Sequence, residues 1–261
     1  MYFLFFVISL AASVAGAICG IGGGVIIKPV LDALHLADVS TISFLSGCTV
    51  LSMSGYSVFK GFAARDTAID KKTATPLALG AAVGGVAGKY IFDAACGHFA
   101  DKNTVGAIQA ICLLVITAAT LAYTLKKDVI HSRAMQGTAI CTAIGLGLGV
   151  LSSFLGIGGG PINLMVLGYF FSMKTKTAVQ NSLYIILFSQ VASLIFTLLG
   201  GTVPAFSWPS LLLMIAGGIL GGIIGRLINR QMDARMVDRL FICLMAVIIL
   251  ICVYNAWRFL A

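Results

Sequence analysis

The chain has 261 residues, of which 59% are hydrophobic and only 10% are charged, and its mean hydropathy is +1.04. These values exclude an ordinary soluble domain, in which about a quarter of the residues are charged, and indicate an integral membrane protein. The formal net charge of +8 does not point to nucleic acid, because the basic residues are concentrated in loops between apolar stretches, as expected next to a lipid bilayer.

The first apolar stretch, residues 2–35, is too long for a single crossing. As one continuous helix it would measure about 50 Å, against a hydrocarbon core of about 30 Å. The pentapeptide GIGGG at Gly20–Gly24 interrupts it, and consecutive glycines favour a helix break. We therefore predict a helical hairpin with limbs of about 18 and about 12 residues. No Lys or Arg precedes the apolar core, so we expect this segment to be retained and not cleaved as a signal peptide.

The same arrangement occurs twice along the chain. Three apolar stretches of spanning length follow the first hairpin, at 39–59, 75–95 and 104–125. A second hairpin at 137–172, broken by GIGGG at Gly156–Gly160, then precedes spans at 178–199, 209–228 and 237–257. The sequence offset between the two pentapeptides is 136 (156 minus 20). We predict one all-α integral membrane domain built from two repeats, residues 1–126 and 127–261, each a glycine-broken hairpin followed by three transmembrane helices.

Further matches support the duplication. Glycines spaced four apart at Gly80, Gly84 and Gly88 correspond to Gly217, Gly221 and Gly225, at an offset of 137 (217 minus 80). Such small-residue faces are typical of close helix packing in membranes. The next residues, Lys89 and Arg226, are interpreted as interfacial anchors. Asp101–Val105 resembles Asp233–Val237 in the last span of each repeat.

Charge counting predicts the orientation of the repeats. If each long segment returns to the side on which it began, 13 Lys and Arg residues share one side and 4 the other; if each crosses once, the counts are 9 and 8. The positive-inside rule prefers the first arrangement. An odd number of crossings then follows each hairpin, so the repeats are inverted and both termini lie outside the cytoplasm.

The glycine tips are the candidate substrate site. Broken helices in inverted repeats expose backbone N–H groups at the bilayer midplane, and the positive ends of the helix dipoles lie there too, which favours an anion. The predicted contacts are Gly20, Gly22, Gly23, Gly24, Gly156, Gly158, Gly159 and Gly160, with the side chains of Lys28, Asn163, Ser46, Asn181 and Ser182. Two alternatives remain open: Lys28 and Asp32 could form a pair at the membrane surface, and the polar side chains could serve only as links between helices.

No metal or cofactor site is expected. The seven cysteines form no CxxC pair and no metal-ligand spacing, and a thiol within a span packs as a small apolar group. Catalysis within the membrane usually needs His, Asp or Glu in the spans, which carry almost none, so no catalytic residues are predicted and the chain is not expected to be an enzyme.

The two glycine runs, the small-residue faces and the length resemble the sulfite exporter TauE/SafE family over essentially the whole chain. The stretch GIGGGVIIKPVL at 20–31 is similar to that family's glycine-rich motif followed by Pro and an apolar residue. The second repeat departs from it, with Pro161 directly after the glycines and Met165 in the place of Pro29. The resemblance implies transport of a sulfur oxyanion or an organosulfonate across the bacterial inner membrane.

The leading functional hypothesis is therefore a secondary transporter of a small anion. A proton or sodium gradient would drive it, because the sequence contains no P-loop. An anion channel on the same scaffold is the alternative, and a membrane assembly factor or intramembrane enzyme is a third, weaker one. The expected partners are the anion, the coupling ion and the lipid bilayer. A homodimer is one possible assembly.

Overall fold

The computed structural model describes residues 2–64, 68–98, 102–127 and 129–260, and all regular structure within them is helical. The ten helices are α1 (Tyr2–Cys19), α2 (Gly24–Leu34), α3 (Val39–Ala63), α4 (Lys71–His98), α5 (Lys102–Lys126), α6 (Thr138–Phe154), α7 (Pro161–Phe171), α8 (Thr175–Leu199), α9 (Trp208–Gln231) and α10 (Ala234–Leu260). Seven of these described helices are long and apolar enough to cross a bilayer: α1, α3, α4, α5, α8, α9 and α10. The prediction of an all-helical, multi-pass membrane protein is confirmed.

Each of the six ordinary spans predicted from the sequence lies inside one long helix. The helices extend further than the apolar stretches: α4, for example, has 28 residues, from Lys71 to His98, where the sequence predicted 75–95. The helix continues past the apolar stretch because its backbone hydrogen bonds do not depend on side-chain hydropathy. Asp101, which carries part of the repeat match, lies outside the described residues, as do 65–67 and 128 in two of the basic loops.

The two long apolar stretches are each divided into a longer and a shorter helix. Helices α1 and α2 have 18 and 11 residues, and α6 and α7 have 17 and 11, close to the predicted limb lengths. The breaks fall at the pentapeptides, where Gly22 has a φ of 72° and Gly158 a φ of 75°. Only glycine adopts this left-handed conformation without steric cost, so the same residue is needed at both breaks. Pro161 begins α7, as predicted for a residue without an N–H.

After the first break the chain packs against the helix it has just left, and after the second it ends beside the residues that precede α6. A Cβ atom on Gly23 would lie 3.2 Å from the Cα of Ser13 in α1, and Leu31 of α2 belongs to the same apolar cluster as Phe5. In the second half, the Arg133 N–H donates to the Tyr169 carbonyl at 2.8 Å. The end of α7 therefore lies beside the residues that precede α6.

The two glycine faces pack helices of one half against helices of the other. Gly84 of α4 lies against the backbone of α6, where a Cβ would be 3.0 Å from the Cα of Leu146. Gly221 of α9 lies against α1, where a Cβ would be 2.8 Å from the Leu10 carbonyl oxygen. The interpretation of these glycines as packing residues agrees with both contacts.

Candidate functional site

The two pentapeptides meet in the middle of the protein. The Gly160 N–H donates a hydrogen bond to the Ile21 carbonyl at 3.0 Å. A Cβ on Gly24 would collide with the Ile157 carbonyl, and one on Gly160 would lie 2.9 Å from the Cγ2 atom of Val25. Segments from the two halves of the chain thus make direct backbone contact, and the absence of side chains is what allows it.

Four backbone N–H groups at this meeting point donate no hydrogen bond to another described residue. Among the backbone hydrogen bonds between described residues, none uses the N–H of Gly22, Gly23, Gly158 or Gly159, and all four residues are buried. Buried N–H groups are almost always paired in folded proteins, and consecutive ones in a glycine turn form a concave binding site for anions. Helices α2 and α7 begin immediately after these glycines, so their dipoles place partial positive charge at the same point.

Two apolar side chains lie directly against the tips. Val50 from the middle of α3 and Ile186 from the middle of α8 are separated by the same offset as the pentapeptides, 136 (186 minus 50), and both are completely buried. A Cβ on Gly158 would lie 2.6 Å from the Cγ1 of Val50, and one on Gly22 would lie 3.4 Å from the Cδ1 of Ile186. The tips and these two side chains therefore fill the centre of the protein.

A cavity lies on each side of this centre. The first, here called the basic cavity, has a volume of about 50 Å³ and lies at the C-terminal part of α3 and the N-terminal part of α8; its lining includes Ser57, Gly61, Gln180, Arg226 and Arg230. The second, the hydroxyl cavity, has a volume of about 30 Å³ and lies at the opposite ends of the same two helices; its lining includes Ser43, Lys89, Ser153, Gly156, Gln190, Ser193 and Thr197.

The two cavities are built from matching positions of the two halves. Most residues that line the hydroxyl cavity have a counterpart in the lining of the basic cavity, at the sequence offset that relates the two repeats. Ser193 corresponds to Ser57, at an offset of 136 (193 minus 57), and Lys89 to Arg226, at an offset of 137 (226 minus 89). The chain thus has one pair of equivalent cavities, separated by one pair of equivalent glycine tips.

The hydroxyl cavity contains polar groups that lack partners. The Oγ atoms of Ser43 and Ser153 are buried without a hydrogen-bond partner among the described residues. Ser43 Oγ would lie 2.7 Å from a Cβ on Gly156, so this hydroxyl is directed at the second tip. Ser153 was missed by the sequence reasoning, because a serine in an apolar helix gives no sign of which cavity it faces.

Among the predicted side chains, Ser182 and Asn163 contact the tips. Ser182 donates from Oγ to the Gly20 carbonyl at 2.5 Å. Asn163 is 1% exposed; its Nδ2 would lie 3.0 Å from a Cβ on Gly159, and its Oδ1 has no partner among the described residues. Ser46, one turn before Val50, is completely buried and its Oγ is also without a partner there.

Asn181 is engaged away from the tips. Its Oδ1 accepts from the Asp70 N–H at 3.0 Å and its Nδ2 donates to the Ala68 carbonyl at 3.2 Å. This side chain fastens the segment before α4 to the beginning of α8. Lys89 and Arg226, predicted as interfacial anchors, line the two cavities.

Lys28 and Asp32 form a buried ion pair, with Nζ to Oδ2 at 3.0 Å and exposed fractions of 2% and 8%. The alternative of a pair at the membrane surface is therefore wrong. The stem of Lys28 passes the second tip, since its Cδ would lie 3.4 Å from a Cβ on Gly156. Within the described residues no group of three or more His, Cys, Asp or Glu side chains is placed to hold a metal ion.

Comparison with protein families gives one match: the family described as "Sulfite exporter TauE/SafE" matches residues 5–251. The matched range contains both pentapeptides, both cavities and the buried ion pair. The comparisons with curated proteins and with solved structures give no match.

Proposed function

This chain belongs to the sulfite exporter TauE/SafE family, a family of membrane transporters, and from that premise we propose that it is a secondary transporter for a small sulfur oxyanion or organosulfonate in a bacterial inner membrane. The observation that carries the proposal is the set of four buried, unpaired N–H groups where the two glycine tips meet. They lie between two equivalent cavities, which is where a carried anion has to be held.

Backbone donors can supply the affinity that the apolar interior lacks. A hydrogen bond to a charged acceptor contributes about 1.5–3 kcal/mol, so four such donors contribute roughly 6–12 kcal/mol before the cost of dehydrating the anion. An oxyanion with three acceptor oxygens can engage N–H groups from both tips at once. Neutral donors bind an anion without fixing a permanent positive charge at the bilayer midplane.

The contacts around the breaks support an inverted-repeat topology. The pairing of residues just before α6 with the end of α7 and the clustering of Leu31 with Phe5 fit two hairpins that return to their starting sides. The basic cavity, with Arg226 and Arg230, would then face the cytoplasm, in keeping with the count of 13 basic residues on that side against 4. The hydroxyl cavity would face the opposite side.

Transport would consist of moving access between the cavities. Val50 and Ile186 lie against the tips and are completely buried, so neither cavity continues through the centre in this conformation. Rocking of one repeat against the other would open one cavity toward the tips while closing the other, as in other inverted-repeat transporters. The closed centre favours a transporter over the alternative of an open anion channel.

The test is a flux assay with the purified protein in liposomes, using sulfite, thiosulfate, methanesulfonate and acetate as probes. We expect saturable flux of at least one sulfur anion and competition among them. Gly159→Val is expected to abolish flux, because the added side chain collides with Ile186. Gly147→Ala is the matched control, since nothing lies within 4 Å of its added Cβ. Flux that rises linearly with concentration would indicate a channel, and no flux of any probe would overturn the proposal.

A further inference from the structure

A third small cavity, of about 10 Å³, lies next to the second glycine tip. It is bounded by helices α2, α5 and α10, and its polar lining consists of Lys28, Asp32, Gln109, Cys252 and Asn255. This volume is at the lower limit for one water molecule. No substrate anion fits there.

Two hydrogen-bond acceptors in this lining lack a donor. Asp32 accepts from Lys28 through Oδ2, while its Oδ1 has no partner among the described residues. Gln109 donates through Nε2 to the Phe154 carbonyl, while its Oε1 likewise has none. A carboxylate oxygen and an amide oxygen that line one cavity without a donor carry a desolvation cost, and a proton on the carboxylate would remove it.

The equivalent positions in the second repeat carry no charged or amide side chain. The residues that match Lys28, Asp32 and Gln109 are Leu164, Gly168 and Phe241, at offsets of 136, 136 and 132 (164 minus 28, 168 minus 32, 241 minus 109). These three also line one common cavity, in which an ion pair, Lys127 with Asp238, comes from other positions. The same helix arrangement is thus built once with an ion pair and an amide and once without any charge at these positions. Since apolar residues often replace a buried ion pair without loss of stability, we attribute the polar version to function.

The ion pair connects this cavity to the glycine tip. Lys28 reaches Asp32 with Nζ while its Cδ lies in contact distance of Gly156. In the paired state the two charges cancel, so an anion at the tips gains little from Lys28. Once Asp32 is neutral, the lysine charge is uncompensated in a low-dielectric interior, and its attraction to an anion at the tips becomes strong.

We propose that Asp32 is the proton-binding group that couples anion movement to a proton gradient, with Lys28 transferring the effect to the tips and Gln109 accepting the hydrogen bond of the protonated carboxyl. This rests on the transport function proposed above. The proton comes from the aqueous phase and bonds to Asp32 Oδ1. Lys28 stays protonated. Rotation about the terminal bonds of its side chain moves the ammonium group from the Asp32 carboxylate to the bound anion. When the anion leaves, Asp32 releases its proton. One monovalent anion then moves with one proton, without net charge.

The other charged or titratable groups near this site come from α10 and the helix ends, among them His35, whose backbone N–H donates to the Asp32 carbonyl at 3.1 Å. Cys252 of α10 lines the cavity, and Arg258 of the same helix donates to the Ala33 carbonyl. Helix α5 contributes the uncharged Gln109, α1 has no acidic residue in its first turn and no basic residue in its last, and Asp38 lies at the start of α3. Within the described residues, Lys28 is the one cation paired with Asp32.

The proposal is tested by measuring anion flux and internal pH together in liposomes, with methanesulfonate and thiosulfate, whose charge is constant near neutral pH, and with sulfite. We expect about one proton to enter with each methanesulfonate ion through the unmutated protein. In Asp32→Asn, anion flux down its own gradient is expected to persist while proton movement disappears. The matched control is Asp93→Asn, which alters the other Lys–Asp pair spaced four apart and is expected to keep the proton movement.

Two further measurements cover the case in which Asp32→Asn does not fold. The unmutated protein in weakly buffered detergent solution is expected to take up about one proton for each anion bound. In Gln109→Leu, which retains the ion pair, fewer protons are expected to be taken up for each anion bound, because the protonated carboxyl loses its hydrogen-bond acceptor. Anion flux without proton movement or uptake in the unmutated protein, or proton movement that survives in Asp32→Asn, would overturn the coupling and leave the transport function standing. Absence of flux and of binding for all three anions would overturn both.

Discussion

Ser182 and Ser46 are separated by the same offset as the two pentapeptides, 136 (182 minus 46), and both are completely buried, yet only one of them is hydrogen-bonded within the described part of the chain. Ser182 Oγ donates to the Gly20 carbonyl, whereas Ser46 Oγ has no partner among the described residues. Ser182→Ala leaves a buried carbonyl unpaired and should cost about 1–3 kcal/mol. Ser46→Ala removes an unpaired buried hydroxyl, so we expect it to be neutral or slightly stabilising.

The same pair of substitutions separates stability from binding. In detergent, Ser182→Ala is expected to lower the unfolding temperature by roughly 2–12 °C, at roughly 2–4 °C per kcal/mol for a chain of this size. Ser46→Ala should leave the unfolding temperature unchanged but weaken sulfur-anion binding by about 10- to 100-fold, the loss of one hydrogen bond to a charged group. Equal destabilisation by both substitutions would show that Ser46 has a structural bond like that of Ser182. Unchanged anion affinity in Ser46→Ala would remove this residue from the site.

Two further predictions concern packing and topology. Gly149→Val should destabilise the protein by about 1–3 kcal/mol or more, because a Cβ at that position would be 2.8 Å from the carbonyl carbon of Ala81. Gly147→Ala on the same helix should stabilise the protein by about 0.5–1 kcal/mol. Thermal unfolding of the two variants measures both effects. Single cysteines placed in the loops at 60–72 and 174–176, in a background without native cysteines, should react with an impermeant thiol reagent from the same face of the membrane. Labelling from opposite faces would contradict the inverted topology.

The sequence predicted the helices well because their signals are local. Apolar stretches of bilayer length are interrupted by few charges, and two identical pentapeptides mark the breaks between α1 and α2 and between α6 and α7. The packing role of Gly84 and Gly221 was also readable from their spacing. Helix ends were less accurate, since hydropathy falls at the first charged residue while α4 and α9 continue into polar sequence.

The meeting of the two glycine breaks was predicted from the sequence, whereas the positions of the buried side chains around them were not. Lys28 and Asp32 are four residues apart on one helix, so their pairing could be predicted from the sequence. Their burial depends on α5 and α10, which are distant from them in sequence. The sequence did not single out Gln109, because a single glutamine in an apolar span is as typical of a hydrogen bond between helices as of a functional site. Asn181 was assigned to the site for its position near Ser182, whereas successive helix residues point about 100° apart and its side chain reaches the 68–70 segment.

Because helices of one half pack against helices of the other, the first half cannot complete its packing until the second half has been synthesised. The small-residue face of α1 packs on Gly217, Gly221 and Gly225 of α9, and α4 packs on α6. At about 5–20 residues per second, the ribosome needs roughly 10–40 s after completing α1 before α9 emerges. During that interval Ser9 and Ser13 of α1 are without their final neighbours, and the first half is inserted but incomplete. Neither half is thus a folding unit by itself, and a chain that stops after α8 would leave the first glycine tip without the helix that holds α1 in place.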